Sequence, residues 1–264
     1  YLDFMKNSLR NSNVSYQFYK NKSDYTVVKR RYISHSGYPN PLSNKLDDSN
    51  NKNSETRLFE LGFIPTGMIN KETEEKVLKY LDKNLNCYDL VVVSDFGHGF
   101  FTKNIIAKIM KEGKRVSINT QTNSSNFGFN LLDKYSNRKS FLCIDELEAR
   151  LLIKDKQSSI DSVAAKIKAI FPKSSLMITR GKLGLKYYTQ GKAIEVPALA
   201  TKIIDPIGAG DALFTGASIA SAFQDNPKLT GFLAAIMGML GTQIEGNERP
   251  ISNDEVIRNI KGLI

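Results

Sequence analysis

The chain has 264 residues, 41% hydrophobic and 24% charged, with 37 Lys and Arg against 27 Asp and Glu for a formal net charge of +10. That length can bury a large core in one sizeable domain, 1–264, and no apolar run reaches the roughly 20 residues that span a bilayer. Two cysteines, Cys87 and Cys143, make no disulfide framework, so a reduced, cytoplasmic setting is the default.

The two histidines, His35 and His98, leave little for a His/Cys zinc site. The positive charge favours an anionic partner. Zinc-finger spacing, a helix-turn-helix and tryptophan are all lacking, and the lysines are scattered, which argues against nucleic acid. A phosphorylated metabolite and a solvated lysine-rich surface both stand open. The first residue is Tyr1 and no charged-then-apolar leader follows, which points to a natural N-terminus lying elsewhere.

In chain order, "VSYQFYK" (14–20), "YTVVKRRYI" (25–33) and "RLFELG" (57–62) alternate polar with apolar residues and predict half-exposed antiparallel strands of a small β-flap over 14–62. The polar stretch between the second and third predicts a long mobile loop. The body, 63–264, opens on different patterning. "LVVVSD" (90–95), "RVSIN" (115–119), "SFLCID" (140–145) and "LMITR" (176–180) are apolar without alternation, as strands covered on both faces are. Helical patterns separate them: "TKNIIAKIMKEGK" (102–114), stopped at Gly113, and "SIDSVAAKIKAIF" (159–171), entered through a serine and followed by Pro172. "GFLAAIMGMLG" (231–241) reads as a core helix. Strand–helix alternation predicts a doubly wound, mostly parallel α/β sheet with helices on both faces.

Ligands of such sheets bind beyond the carboxyl ends of the strands. The segments there are "SDFGHG" (94–99), "NTQTN" (119–123), "DELE" (145–148), "TRGKLG" (179–184) and "DPIGAGD" (205–211), all polar or glycine-rich and all expected at one crevice. In the last of these, Gly208 and Gly210 permit close backbone approach, and the helix that follows offers partly positive N–H groups to a phosphate. Asp211 is a poor phosphate ligand but a sensible acceptor for the proton of an attacking hydroxyl. No G-x-x-x-x-G-K-[ST] sequence occurs, which excludes a P-loop enzyme.

"DPIGAGDALFTG" resembles the D-[TS]-x-G-A-G-D signature of the ribokinase-like, or PfkB, carbohydrate kinases, and the resemblance runs from the flap to the helix after 227. "SDFGHGFFT" and "NTQTNSSNFGFN" bring it closer to the heptose 7-phosphate kinase branch. The resemblance implies a ribokinase-like fold with a β-flap lid, ATP and Mg²⁺ as cofactors, a sugar or sugar phosphate as small-molecule partner, and a homodimer through the flap. Asp211 would be the catalytic base, with Gly208, Ala209 and Gly210 as its anion hole. "DELE" matches the family's N-x-x-E element, so Glu148 would organise Mg²⁺, with Asp145 where Asn is usual. Thr179, Gly181 and Gly184 would lie against the nucleotide. Asp205 and the carbonyl of Ile207 match positions that hold a monovalent cation, K⁺, although Pro206 replaces the usual Thr or Ser. The substrate side would draw on Asp95 and Gly97 after the first buried strand, and on Lys29 and Arg31, which share one face of a flap strand.

Each residue has a plainer reading. Glu148 fits an exposed helix position, Asp205 a cap or turn, His98 a turn, and Lys29 and Arg31 a solvated strand edge. The family's glycine pair followed by a sugar-gripping Asn has no counterpart, which the reading places in a missing front segment. The leading expectation is an ATP-dependent carbohydrate kinase. Its rival is a non-catalytic ribokinase-fold module that binds an anionic partner.

Overall fold

The computed structural model describes residues 1–10, 12–21, 26–34, 56–65, 67–135, 138–189 and 191–263. Two sheets organise them. The smaller pairs β1 (Val28–Ser34) antiparallel with β2 (Thr56–Phe63), as their alternation requires. Its register sets Lys29 opposite Gly62 and Arg31 opposite Glu60 on one face. The other face carries the pairs Val28/Phe63, Arg30/Leu61 and Tyr32/Phe59. The loop expected between the two strands falls on 35–55, outside the described residues.

A short helix, α1 (Leu2–Leu9), leads into 14–20, where a third flap strand is expected. That segment is irregular backbone instead. Val14 and Tyr16 are exposed, and the segment docks on the body through Tyr19 and the backbone rather than on a neighbouring strand. Tyr19 packs against the core and edge-on to Tyr80, and the Lys20 carbonyl accepts from Thr73 Oγ1 at 3.2 Å. Both partners belong to α2 (Lys71–Asn84).

The larger sheet has the order β3 (Val91–Asp95), β4 (Val116–Thr120), β5 (Phe141–Asp145), β6 (Ser175–Thr179), β7 (Leu185–Thr189), β8 (Lys192–Val196). The first four strands run parallel, within a residue of the apolar runs that predict them. The last two form an antiparallel hairpin continuing from β6. The helix α3 (Lys103–Glu112) joins β3 to β4, and α4 (Glu146–Ile153) and α5 (Ile160–Ile170) join β5 to β6. After β8 come α6 (Ala209–Phe223), α7 (Pro227–Gly241) and α8 (Asn253–Leu263).

The two-residue period of each strand divides the core. Val93, Ile118, Leu142, Ile144, Leu176 and Ile178 meet Ile105 and Ile109 of α3 and Val163 and Ile167 of α5. Phe141, Cys143, Met177, Leu185 and Tyr187 meet Phe214 and Ala217 of α6 and Ala234 of α7. Helices therefore cover both faces, which is why these strands read as unbroken apolar runs. Each fully buried Leu, Ile or Phe stabilises the fold by about 1.5–3 kcal/mol. Among the described residues, no helix is long and apolar enough to cross a membrane. The carboxyl ends of β3 to β6, from Asp95 to Thr179, share one rim with the N-terminus of α6.

Candidate active site

Two cavities open at that rim, one on each side of the Gly208–Asp211 turn. The larger, about 1710 Å³, is lined by Asp145, Thr179, Gly181, Gly184, Ala209 and Gly210, with Lys182 and Lys202 among the others. The smaller, about 460 Å³, lies between the flap and the body and is lined by Lys29, Arg31, Phe96, His98, Gln121, Gly208 and Asp211, together with Val27 and Ile207. The turn thus puts its middle residues into one cavity and its ends into the other.

Gly208 makes that turn possible. Its φ of 80° lies in the left-handed region, and an added Cβ would stand 2.1 Å from Asn247 Oδ1. Helices α2, α3, α4, α5 and α7 are each capped by a side chain, from Asn70, Thr102, Asp145, Ser159 and Asn226. Helix α6, at 15 residues, has no side-chain cap. Its first-turn N–H groups face the rim with their partial positive charge, suited to an anion.

Asp211 sits in the first turn of α6. Burial raises its pKa, and a hydrogen bond from Gln121 opposes the rise. Gln121 Nε2 donates to Asp211 Oδ1 at 2.6 Å. The "NTQTN" segment is legible in the sequence as a whole, and Gln121 is not distinguished within it. The available signal was its position, one residue past the end of β4.

Asp145 is the N-cap of α4, and Glu148 closes a reciprocal capping box with it. Glu148 is buried, at 6% exposure, so the exposed-helix reading is corrected. Its carboxylate accepts from the amides of Asp145 at 2.9 Å and Thr122 at 2.8 Å. Burial first, and then the negative charges of Asp145 and Asp211, push its pKa up to about 7. Burial also raises that of Asp145.

Asp95 and Gly97, expected on the substrate side, line neither cavity. The Asp95 carboxylate is buried and accepts from Tyr135 Oη at 2.7 Å, from the amide of Gly97 at 2.9 Å, and from Lys134 Nζ at 2.5 Å. It organises the loop from within. Gly97 (φ 71°) leaves no space for a Cβ, which would stand 2.0 Å from Asn126 Nδ2. The neighbours of Gly97 are the residues that reach the smaller cavity, Phe96 and His98. Burial, reinforced by the charge of Lys29, lowers the His98 pKa. Its Nδ1 is buried with no hydrogen-bond partner among the described residues.

On the flap, Lys29 and Arg31 do project into one cavity, but Arg31 Nε pairs with Glu60 Oε2 at 2.8 Å. Asp205 is buried at the start of the turn, and its two oxygens accept from the amides of Ile207 at 2.9 Å and Gly246 at 3.0 Å. That fixes the turn, as the turn reading expects, and keeps the Ile207 backbone beside the carboxylate. Among the described residues, no three His, Cys, Asp or Glu side chains cluster as a metal site.

Known proteins resemble this chain in sequence and fold. The model of the family described as pfkB family carbohydrate kinase matches residues 63–231. The chain is 26% identical over 207 residues to the bifunctional protein HldE of Geotalea uraniireducens (strain Rf4), covering 73% of this chain and 39% of that protein. It is 30% identical over 177 residues to HldE of Desulfatibacillum aliphaticivorans, covering 63% of this chain and 34% of that protein. The chain therefore spans well under half the length of these curated relatives. Among solved structures, phosphofructokinase-2 from Escherichia coli in complex with potassium superposes with a TM-score of 0.63 at 15% identity, covering 80% of this chain and 67% of that one. Arabidopsis thaliana ribokinase complexed with ribose and ATP gives 0.56 at 15% identity, covering 79% and 66%. These likenesses show the ribokinase fold, and the family match extends over more than half of the sequence. The chain belongs to the pfkB family of carbohydrate kinases.

Proposed function

We propose that this chain transfers the γ-phosphoryl group of ATP to a hydroxyl of a sugar phosphate, with heptose 7-phosphate the favoured acceptor. The observation that carries the reading is the turn between two cavities. Ala209 and Gly210 line the cavity that also holds Thr179, Gly181 and Gly184, whereas Asp211 lines the one that holds Lys29 and Arg31. A nucleotide in the first and an acceptor in the second would meet across the uncapped end of α6.

The reaction follows from those positions. The acceptor oxygen attacks the γ-phosphorus and gives its proton to Asp211, which burial makes a stronger base than a solvated carboxylate. The new oxygen–phosphorus bond forms as the bond from γ-phosphorus to the β,γ-bridging oxygen breaks, and ADP departs with that electron pair. The N–H groups of Gly208 and Gly210 would stabilise charge on the transferring group, with that of Ala209 joining them if it leaves the Pro206 carbonyl, 3.4 Å away.

Mg²⁺ keeps most of its waters and takes one or two carboxylates together with substrate phosphates. Asp145, which lines the larger cavity, fits that donor set, and Glu148, buried behind it in the capping box and lining neither cavity, would act on the hydrated metal through its charge. When bound, the metal neutralises triphosphate charge. A monovalent cation would take the Ile207 carbonyl and the Asp205 side of the turn.

Asp145 standing where the family has Asn is a feature that would favour the non-catalytic alternative. As an N-cap, Asp is as good as Asn, and Asp145 performs that task here, so the replacement does not argue against activity. The flap face opposite the cavity exposes Tyr32, Phe59, Leu61 and Phe63, with Tyr32 stacked on Phe59 at 4.4 Å between ring centroids. This apolar face supports a homodimer through the flap. ATP consumption by the full-length protein with a panel of sugars and sugar phosphates tests the acceptor. Turnover confined to phosphorylated sugars supports the reading, and turnover with neutral sugars alone overturns it.

A further inference from the structure

Residue 121 is the junction of the site. The Gln121 amide donates to the Asp95 carbonyl at 2.8 Å, and the Gln121 carbonyl accepts from Asn130 Nδ2 at 3.2 Å. Both backbone groups are therefore pinned to the loop that Asp95 organises. From that anchor the side chain crosses to α6 and donates to Asp211 Oδ1 at 2.6 Å. The next residue, Thr122, donates its amide to Glu148 Oε1. Two consecutive residues at the end of β4 thus hold the carboxylates of α4 and α6.

A general base works through one carboxylate oxygen, and that oxygen must face the acceptor hydroxyl. The bond from Gln121 occupies Oδ1 and fixes the rotation of the carboxylate, which leaves Oδ2 for the proton. Gln121 itself lines the cavity between flap and body. We propose that Gln121 is a positioning residue for the base, orienting Asp211 so that Oδ2 is presented to the acceptor hydroxyl. The inference rests on the reading of Asp211 as the base.

An amide donor also favours the ionised form of the carboxylate it contacts, against the effect of burial. Several other charged or titratable groups share the cavity with Asp211 or act on it from a distance. Lys29 and Arg31 come from the flap and His98 from the 95–99 loop, and Glu148 of α4 acts through its charge. All of them remain when residue 121 alone is changed, so a shift in the pH profile reports the lost donor.

The experiment compares Gln121→Leu and Gln121→Glu with the wild type and with Asp211→Asn, all in the full-length protein. ATP and the best acceptor of the sugar-phosphate panel are the substrates, and thermal unfolding is followed in parallel. Gln121→Glu preserves the size of the side chain and guards against a Leu variant that fails to fold. Expected in Gln121→Leu are a kcat lower by about tenfold or more, an unchanged KM for ATP, and an acid limb of kcat/KM moved up by about one pH unit. Gln121→Glu should move that limb further, because two carboxylates at hydrogen-bond distance do not both ionise readily. Unchanged kcat and acid limb in both variants, with Asp211→Asn inactive, would overturn the role of Gln121 and leave the base in place. Loss of turnover with an unmoved acid limb would reduce Gln121 to packing. An active Asp211→Asn would remove the base and this inference with it.

Discussion

Asp145 and Glu148 cap one another at the start of α4: the Glu148 amide donates to Asp145 Oδ1 at 2.7 Å, and the Asp145 amide to Glu148 Oε2 at 2.9 Å. The exchange, with the further bond from Thr122, fixes a buried carboxylate behind Asp145, which lines the larger cavity.

That burial has a sign. Glu148 titrates near 7 in the folded protein, above the 4.5 of an unperturbed glutamate. Its contribution to stability is present below the unfolded value and is lost as the pH rises through the folded one. With nucleotide and metal absent, wild type should therefore lose stability relative to Glu148→Gln between about pH 5 and pH 8. Thermal unfolding of both proteins across that range checks it, and a constant difference in Tm would contradict the assignment.

The same substitution should weaken use of the metal. Glu148→Gln removes a negative charge from directly behind Asp145, so more Mg²⁺ should be needed for half-maximal activity. A titration at fixed ATP measures this, and coincident curves would return Glu148 to a purely structural role as the partner of Asp145.

The flap makes a graded prediction. Lys29 and Arg31 line the smaller cavity, but Arg31 already pairs with Glu60. Losing a buried contact to a charged substrate costs about 2–5 kcal/mol, and a solvated one far less. Lys29→Ala should raise KM for a sugar phosphate more than Arg31→Ala does, and Glu60→Gln should lower it by freeing the guanidinium. KM for ATP should stay near the wild-type value in all three. Equal acceptor constants throughout would show that the flap does not bind the phosphate.

Gly208→Ala should damage stability and turnover together. A left-handed conformation costs a non-glycine residue about 1–2 kcal/mol, and Asn247 must also swing away from the new methyl group. Thermal unfolding should fall by a corresponding margin, and phosphoryl transfer should be largely lost. A variant with wild-type Tm and activity would contradict the role given to this turn.

The parallel half of the sheet was legible because burial on both faces writes unbroken apolar runs, as at Val91–Asp95 and Phe141–Asp145. The β7–β8 hairpin was not read, since its half-exposed strands carry Lys186, Lys192 and Glu195 among their apolar residues. Residues 14–20 alternate like a strand, yet Tyr19 uses its place to pack on α2. In the site, local motifs were readable and long-range partners were not. "GAGD" announces a glycine turn entering a helix. Nothing near Asp95 reveals that Tyr135, 40 residues on, takes its carboxylate. Gln121 and Asp211 meet across 90 residues of sequence, a pairing only the folded sheet creates.

The claim on which the account turns is that Asp211 takes the proton of an acceptor hydroxyl. Phosphoryl transfer from ATP to the best sugar phosphate, measured for wild type and Asp211→Asn in the full-length protein, tests it most directly. The account predicts unaltered folding and ATP binding with turnover lower by about a hundredfold or more. Turnover at the wild-type rate in Asp211→Asn would contradict it.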